Sequence, residues 1–286
     1  MAGATVSAWN YDSSWPAPAK LNLFLHVVGR RADGYHLLQT VFRFIDRADS
    51  LRFEPRNDGR IVLATPLPGV APASDLTVRA AGLLQEASGC DQGVTIHLDK
   101  RLPMGGGLGG GSSDAATVLL ALNHLWQTGL TRPALQQLGL ALGADVPVFI
   151  HGRNTFAEGV GEHFTDVALP PATYLVLMPP VNVSTAAIFT APDLPRATPP
   201  IAAAGWYPGQ GGNDLQAVAC ARFPAVAEHL AWLQQFAPQA MMTGSGACVF
   251  ASFARRNEAA AVLARLPAAM AGWLADGLDE HPLAGI

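Results

Sequence analysis

Pro103-Met-Gly-Gly-Gly-Leu-Gly-Gly-Gly-Ser-Ser-Asp114 places six glycines in the seven positions 105–111 and then runs without a break into Ala115–Trp126. Glycine reaches positive φ without strain and lets a backbone approach a ligand closely. In the segment that follows, Val118, Leu119, Leu122, Leu125 and Trp126 recur at helical spacing, so the glycines open a helix with one apolar face. The first amides of that helix have no partner inside it, and its dipole places about half a positive charge at its mouth. Backbone donors and a positive helix end together make an anion site suited to phosphate. Ser112 and Ser113 add hydroxyls that fit either a phosphate or a Mg2+ ion. A bare Gly/Ser run also reads as a linker, but this one is short and feeds directly into an amphipathic helix. It is not the common P-loop, because no Lys-Ser/Thr pair follows the glycines. Nor is it the dinucleotide fingerprint, since Asn123–Arg132 stands where an acidic residue would be needed.

Upstream, Leu21, Leu23, Leu25 and Val27 alternate with Lys20, Asn22, Phe24 and His26, which predicts a strand. Gly29–Gly34 then turns the chain, with Asp33-Gly34 the reversal signal. Leu37–Ile45 and Leu51–Phe53 read as two further strands, Asp75–Ala87 as a helix capped by Ser74, and Val94–Leu98 as a strand. Downstream, Thr131 and Pro133 start a helix that Gly143 stops, leaving Asp145 in the loop beyond. Tyr174–Met178 reads as a strand, and the Pro/Ala/Gly-rich Thr190–Gln210 as a long loop or flap. Asp214–Cys220 and Pro224–Gln235 read as helices. Met241–Met242 and Ala247–Phe250 read as strands joined by the turn Thr243-Gly-Ser-Gly246, and Glu258–Ala275 as an Ala-rich helix. The pattern is α+β in two units: residues 16–155 and 156–286, with 1–15 as an irregular extension.

Composition narrows the function. Charged residues are 14% of the 286-residue chain and the net charge is −4, with no Lys/Arg stripe. That argues against nucleic acid and against an anionic membrane surface as partners. No apolar run approaches the roughly 18–20 residues that span a bilayer. A phosphate ligand must then be held mainly by backbone amides. The three cysteines, Cys90, Cys220 and Cys248, are widely spaced and form no CxxC, which fits a reducing compartment. Residues 1–15 lack the basic and apolar regions of a signal peptide. A cytoplasmic protein is expected.

The glycine segment resembles the phosphate loop of the GHMP kinases (galactokinase, homoserine kinase, mevalonate kinase and relatives). Further motifs resemble one branch of that family: Pro18-Ala-Lys-Leu-Asn-Leu-Phe-Leu25, Arg31-Ala-Asp-Gly-Tyr-His36, Gly143-Ala-Asp-Val-Pro147, Phe156-Ala-Glu-Gly-Val-Gly-Glu162, Asn213-Asp-Leu215 and Thr243-Gly-Ser-Gly246. They run from about residue 16 to 250, nearly the whole chain. Gln216 and Ala217 depart from the Glu-Pro more often found after Asn-Asp-Leu. The resemblance implies a two-domain GHMP kinase fold of α+β domains with the active site in the interdomain cleft. It also implies ATP and Mg2+, and transfer of phosphate to a tertiary hydroxyl on the methylerythritol part of a cytidine-diphosphate substrate, in the non-mevalonate route to isoprenoids.

By that resemblance Asp145 receives the acceptor's proton and Lys20 sits beside it, holding the carboxylate and the acceptor oxygen or γ-phosphate. Asn22 shares the face of Lys20 and either donates to the acceptor or holds that lysine. Pro103, Met104, Gly105, Gly106, Gly107, Leu108, Gly109, Gly110, Gly111, Ser112 and Ser113 wrap the nucleotide, with Lys100 near the adenine. Tyr35 and Phe189 are expected to sandwich the cytosine while His36 bonds its edge, since base stacking contributes about 1–3 kcal/mol. Thr185 belongs to the same subsite. Gly244 and Ser245 are expected at the cleft, near phosphates and acceptor. Asp114 is ambiguous: a carboxylate in the first helical turn suits the dipole yet repels phosphate. No Mg2+ ligand set is legible, and a monomer or weak homodimer is expected. The other readings are a GHMP kinase acting on homoserine or mevalonate, and a non-catalytic nucleotide-binding member of the fold.

Overall fold

The computed structural model describes residues 9–286 apart from Asp33, so Asp33 of the expected turn and residues 1–8 of the expected extension lie outside the described residues; Gly34 has φ of 92°, and Arg31 N donates to Tyr35 O at 2.7 Å across the turn. The chain builds two sheets. The first has six strands: β1 (Trp15–Arg30), β2 (His36–Arg56), β3 (Ile61–Leu63), β4 (Gly93–Asp99), β5 (Thr155–Glu158) and β6 (His163–Asp166), in the order β3-β4-β2-β5-β6 with β1 also paired to β2. Leu51–Phe53 is no separate strand but the far half of β2, whose 21 residues pair with β1, β4 and β5 along its length.

Helices α1 (Leu76–Ser88), α2 (Gly110–Leu125), α3 (Arg132–Leu142) and α4 (Val146–His151) share the apolar core of this sheet, which includes Phe44, Phe53, Leu84, Leu119 and Phe149. Asp75, not Ser74, caps α1, its carboxylate accepting from Thr77 N at 2.8 Å. Helix α2 starts inside the glycine run and buries every residue from Ser113 to Leu122, because helices and sheet enclose it.

The second sheet orders β10 (Ala271–Asp276), β7 (Thr173–Met178), β9 (Val249–Phe253) and β8 (Met241–Met242), all antiparallel. Its helices are α5 (Thr185–Phe189), α6 (Gln216–Arg222), α7 (Pro224–Gln234) and α8 (Arg256–Leu263). The expected helix Glu258–Ala275 is corrected: α8 ends at Leu263, Pro267 cannot continue it, and the rest extends as β10. Gly272 leaves no room for a side chain there, since a Cβ would stand 2.9 Å from the backbone oxygen of Val176 on the paired strand.

The expected division at 155/156 cuts through β5. Both β5 and β6 belong to the first sheet, so the sheets part after Asp166. Ala19, Leu21 and Ile45 of the first sheet pack on Tyr174, Val176 and Phe250 of the second, so β1 is buried on both faces. The chain end returns to the first core through Leu278, Leu283 and Ile286.

Candidate active site

A cleft of about 570 Å3 opens where β1, β2, the glycine segment and the turn 244–246 meet. The glycine segment owes its shape to close packing. Gly105, Gly107 and Gly109 have φ of 67°, 73° and 71°. A Cβ on Gly107 would lie 2.1 Å from Thr243 O, so the two glycine turns press backbone to backbone. Amides of Ala247, Cys248 and Lys20 take the carbonyls of Gly105, Gly106 and Leu108 at 3.0, 3.1 and 3.0 Å. Gly106 N–H closes the turn at Met104–Gly105, but among the described residues the amides of Gly107, Leu108 and Gly109 donate to no protein backbone. With its carbonyls bound into the protein and these amides uncommitted, beside the mouth of a 16-residue helix, the segment is a cradle for anionic oxygen. Cys248 lies beneath Gly106, and burial pushes its thiol up to about 12, so it is no nucleophile.

Lys20 and Asn22 project from the same face of β1. The Lys20 ammonium is buried, donates to Asn22 Oδ1 at 2.6 Å, and lies 3.1 Å from Asp145 Oδ2. An ammonium has three donors, so one remains for a ligand. Asn22 is held on two further sides: its Nδ2 donates to Thr40 Oγ1 at 2.9 Å and its backbone amide to Thr243 Oγ1 at 3.0 Å. Asn22 thus braces the Lys20 ammonium while itself lining the cleft. Asp145 is not in a free loop but directly precedes α4, with αR backbone and no capping bond from its side chain, which leaves the carboxylate for Lys20 and the cleft.

Lys100 reaches the cleft wall, where its ammonium is gripped by Asp49 Oδ2 at 2.5 Å and Asp114 Oδ2 at 2.6 Å. Asp49 Oδ1 in turn accepts from the amides of Arg101 and Leu102 at 2.5 and 2.7 Å. The triad ties the chain just before the glycines to the first turn of α2, just after them. Burial alone would lower the Lys100 pKa, but Asp114 and Asp49 more than offset it. Burial pushes Asp114 up to about 8 against the pull of Lys100, and Asp49 adds to the rise. The Lys100 ammonium, 2.6 Å from Asp114 Oδ2, offsets the charge that this carboxylate would otherwise present to phosphate.

Pro103, Met104, Gly105 to Gly111, Ser112, Asn22, Thr185, Phe189, Gly244 and Ser245 all line the cleft. Thr185 and Ser245 join their hydroxyls at 2.7 Å, linking α5 to the second glycine turn. Three expected residues do not line it. Ser113 is fully buried and donates to Pro18 O at 2.7 Å, locking α2 to β1. Tyr35 is 64% exposed, outside the cleft lining. His36 lies against Phe189, ring centroids 5.1 Å apart, behind the wall that Phe189 gives the cleft.

Sequence reasoning missed Asp49, Thr40 and Thr243 as site-building residues. Thr243 sat in a quoted motif, whereas Asp49 and Thr40 carried no local signal. The Asn213-Asp-Leu215 motif proves structural: Asn213 Nδ2 donates to Met242 O and Gly244 O at 2.8 Å each, and Asp214 Oδ2 accepts from Val27 N at 2.7 Å. Among the described residues no cluster of three or more His, Cys, Asp or Glu is placed to hold a metal, and no helix is long and apolar enough to cross a membrane.

Two family models match the chain: GHMP kinases N terminal domain over residues 75–153 and GHMP kinases C terminal over 203–272. With the fold, they define the class: an ATP-dependent small-molecule kinase. A Dechloromonas aromatica protein named 4-diphosphocytidyl-2-C-methyl-D-erythritol kinase is 78% identical, covering 95% of this chain and 99% of the relative. The Thiobacillus denitrificans protein of the same name is 63% identical, covering 95% and 98%. A crystal structure of 4-(cytidine 5'-diphospho)-2C-methyl-D-erythritol kinase superposes with a TM-score of 0.77 at 38% identity, over 93% of this chain and 99% of that one. The chain belongs to the GHMP kinase family, on the branch of the 4-diphosphocytidyl-2-C-methyl-D-erythritol kinases.

Proposed function

We propose that this chain transfers the γ-phosphoryl group of ATP to the tertiary 2-hydroxyl of 4-diphosphocytidyl-2-C-methyl-D-erythritol, giving the 2-phosphate and ADP in the non-mevalonate isoprenoid route. The observation that carries the reading is the Lys20–Asp145 pair, at 3.1 Å, on the same cleft as an amide-lined glycine segment. Phosphoryl transfer passes through a loose transition state, so positioning and charge dominate. Asp145 orients the acceptor hydroxyl and takes its proton. The uncommitted Lys20 N–H meets the oxygen between acceptor and γ-phosphate, and the amides of the glycine segment bear the charge of the polyphosphate. Mg2+, when bound, neutralises phosphate charge, and it takes oxygen ligands of the kind that the Ser112 hydroxyl offers on the cleft wall. Phe189 supplies the stacking face for the cytosine.

We place the reaction in the cytoplasm, where three unpaired cysteines fit a reducing environment, and in a monomer or weak homodimer. An ADP-release assay comparing the cytidylated methylerythritol with homoserine and mevalonate tests the reading. Turnover confined to the first is expected. Preference for either of the others would replace it.

A further inference from the structure

Arg196 sits at the start of the segment that follows α5 and is half-buried. Its guanidinium donates Nη1 to Leu194 O at 3.1 Å, Nη2 to Ala191 O at 2.5 Å and to Phe189 O at 3.5 Å, and Nε to His36 Nε2 at 3.3 Å. Guanidinium has no lone pair to offer and stays charged, so His36 Nε2 must be the acceptor. The imidazole is therefore neutral with its proton on Nδ1. Burial lowers the His36 pKa, and the charges of Arg196 and Arg30 lower it further, in agreement with that geometry. The same ring lies on Phe189 with centroids 5.1 Å apart and planes tilted by 33°. Rings at that distance are in contact, so no base can enter between them. Phe189 still lines the cleft. Its free face is the one open to a base.

We propose that Arg196 is a positioning residue of the acceptor subsite, acting through His36: its Nε–H fixes that ring as the neutral Nδ1–H form in contact with Phe189 and so holds Phe189 as a rigid wall for the acceptor's base. The inference rests on the reading of the acceptor as a cytidine diphosphate. A cationic His36 would turn an N–H toward the guanidinium, lose the bond and leave the wall. The Nη bonds to the Leu194 and Ala191 carbonyls seat the guanidinium so that its Nε–H faces His36.

The test combines a spectroscopic and a kinetic arm. In the wild-type protein, 15N shifts should show His36 as the Nδ1–H tautomer, against the Nε2–H preference of free imidazole. Arg196→Gln should raise KM for the cytidylated acceptor about tenfold, the size of a weakened base stack, with KM for ATP unchanged. In a His36→Phe background, which keeps a ring on Phe189 but has no nitrogen to hold, Arg196→Gln should add no more than about twofold. A wild-type Nε2–H tautomer overturns the inference without any variant, and so does an Arg196→Gln penalty of the same size with and without His36. A protein that turns over only mevalonate or homoserine sinks the functional reading instead, whatever the tautomer of His36.

Discussion

The Lys20 ammonium and the Asp145 carboxylate stand 3.1 Å apart across the junction of β1 and α4, with Lys20 buried and Asp145 36% exposed. The asymmetry matters. Lys20 is fixed by Asn22 from within, whereas Asp145 keeps an open side toward the cleft. A proton acceptor must be both oriented and accessible, and this pair supplies the two conditions separately.

Asp145→Asn should therefore cut turnover by about 10²–10⁴, the usual worth of a positioned acid–base group. The amide oxygen can still face Lys20, so the thermal midpoint and nucleotide affinity should hold. ADP release, ATP titration and a melting curve check all three. Retention of most activity would remove Asp145 from proton transfer.

Much of this site was legible because its signals are local. The glycine run, the Lys20/Asn22 alternation and the Gly143 stop before Asp145 each occupy a few adjacent residues, and the structure puts all three on one cleft. What was not legible depends on partners far away in the chain. Asp49 has an unremarkable setting in β2, yet it pins Arg101 and Leu102 some fifty residues on. Nothing local announces the two carboxylates that hold Lys100. Tyr35 and His36 could be named as a pair, but the contact of the His36 ring with Phe189 depends on β1–β2 register and on Arg196. The helix expected over Glu258–Ala275 is a different kind of miss. Pro267 stood in plain view, and the Ala-rich composition outweighed it.

Two glycines of the run should separate loop geometry from ligand contact. Gly107 has φ of 73° and no room for a Cβ beside Thr243 O, so Gly107→Ala should cost about 1–3 kcal/mol from backbone strain alone, before the collision is counted. Gly111 is helical, and its Cβ would meet Leu76 Cδ1 at an ordinary 3.5 Å. Gly111→Ala should raise stability by up to about 1 kcal/mol through helix propensity. Its methyl would face the cleft, so KM for ATP should rise about fivefold, or roughly 1 kcal/mol. Greater stability with unchanged KM would place the phosphates away from the helix mouth.

Acid sensitivity should originate at the chain end. His281 is 1% exposed, packed edge-on against Phe44 with centroids 5.6 Å apart, and its Nδ1 accepts from Leu283 N at 3.0 Å. Burial, with the charge of Arg132 adding to it, pulls its pKa down to about 3. An unfolded histidine titrates near 6.5. Between those values the unfolded chain binds a proton that the native state refuses, so stability falls as pH falls through that window. The slope from this one group approaches about 1.4 kcal/mol per pH unit. Above pH 6.5 both states are neutral and the contribution is flat. The consequence reaches the site, because His281 also packs on Phe149 of α4, the helix that Asp145 precedes, and the Phe149 ring lies 3.0 Å from where a Gly109 Cβ would stand. His281→Gln keeps an acceptor for Leu283 N and removes the titration. Urea midpoints between pH 7 and 4.5 should drop more steeply for the wild-type protein than for the variant. Parallel acid limbs would mean that another group controls the transition.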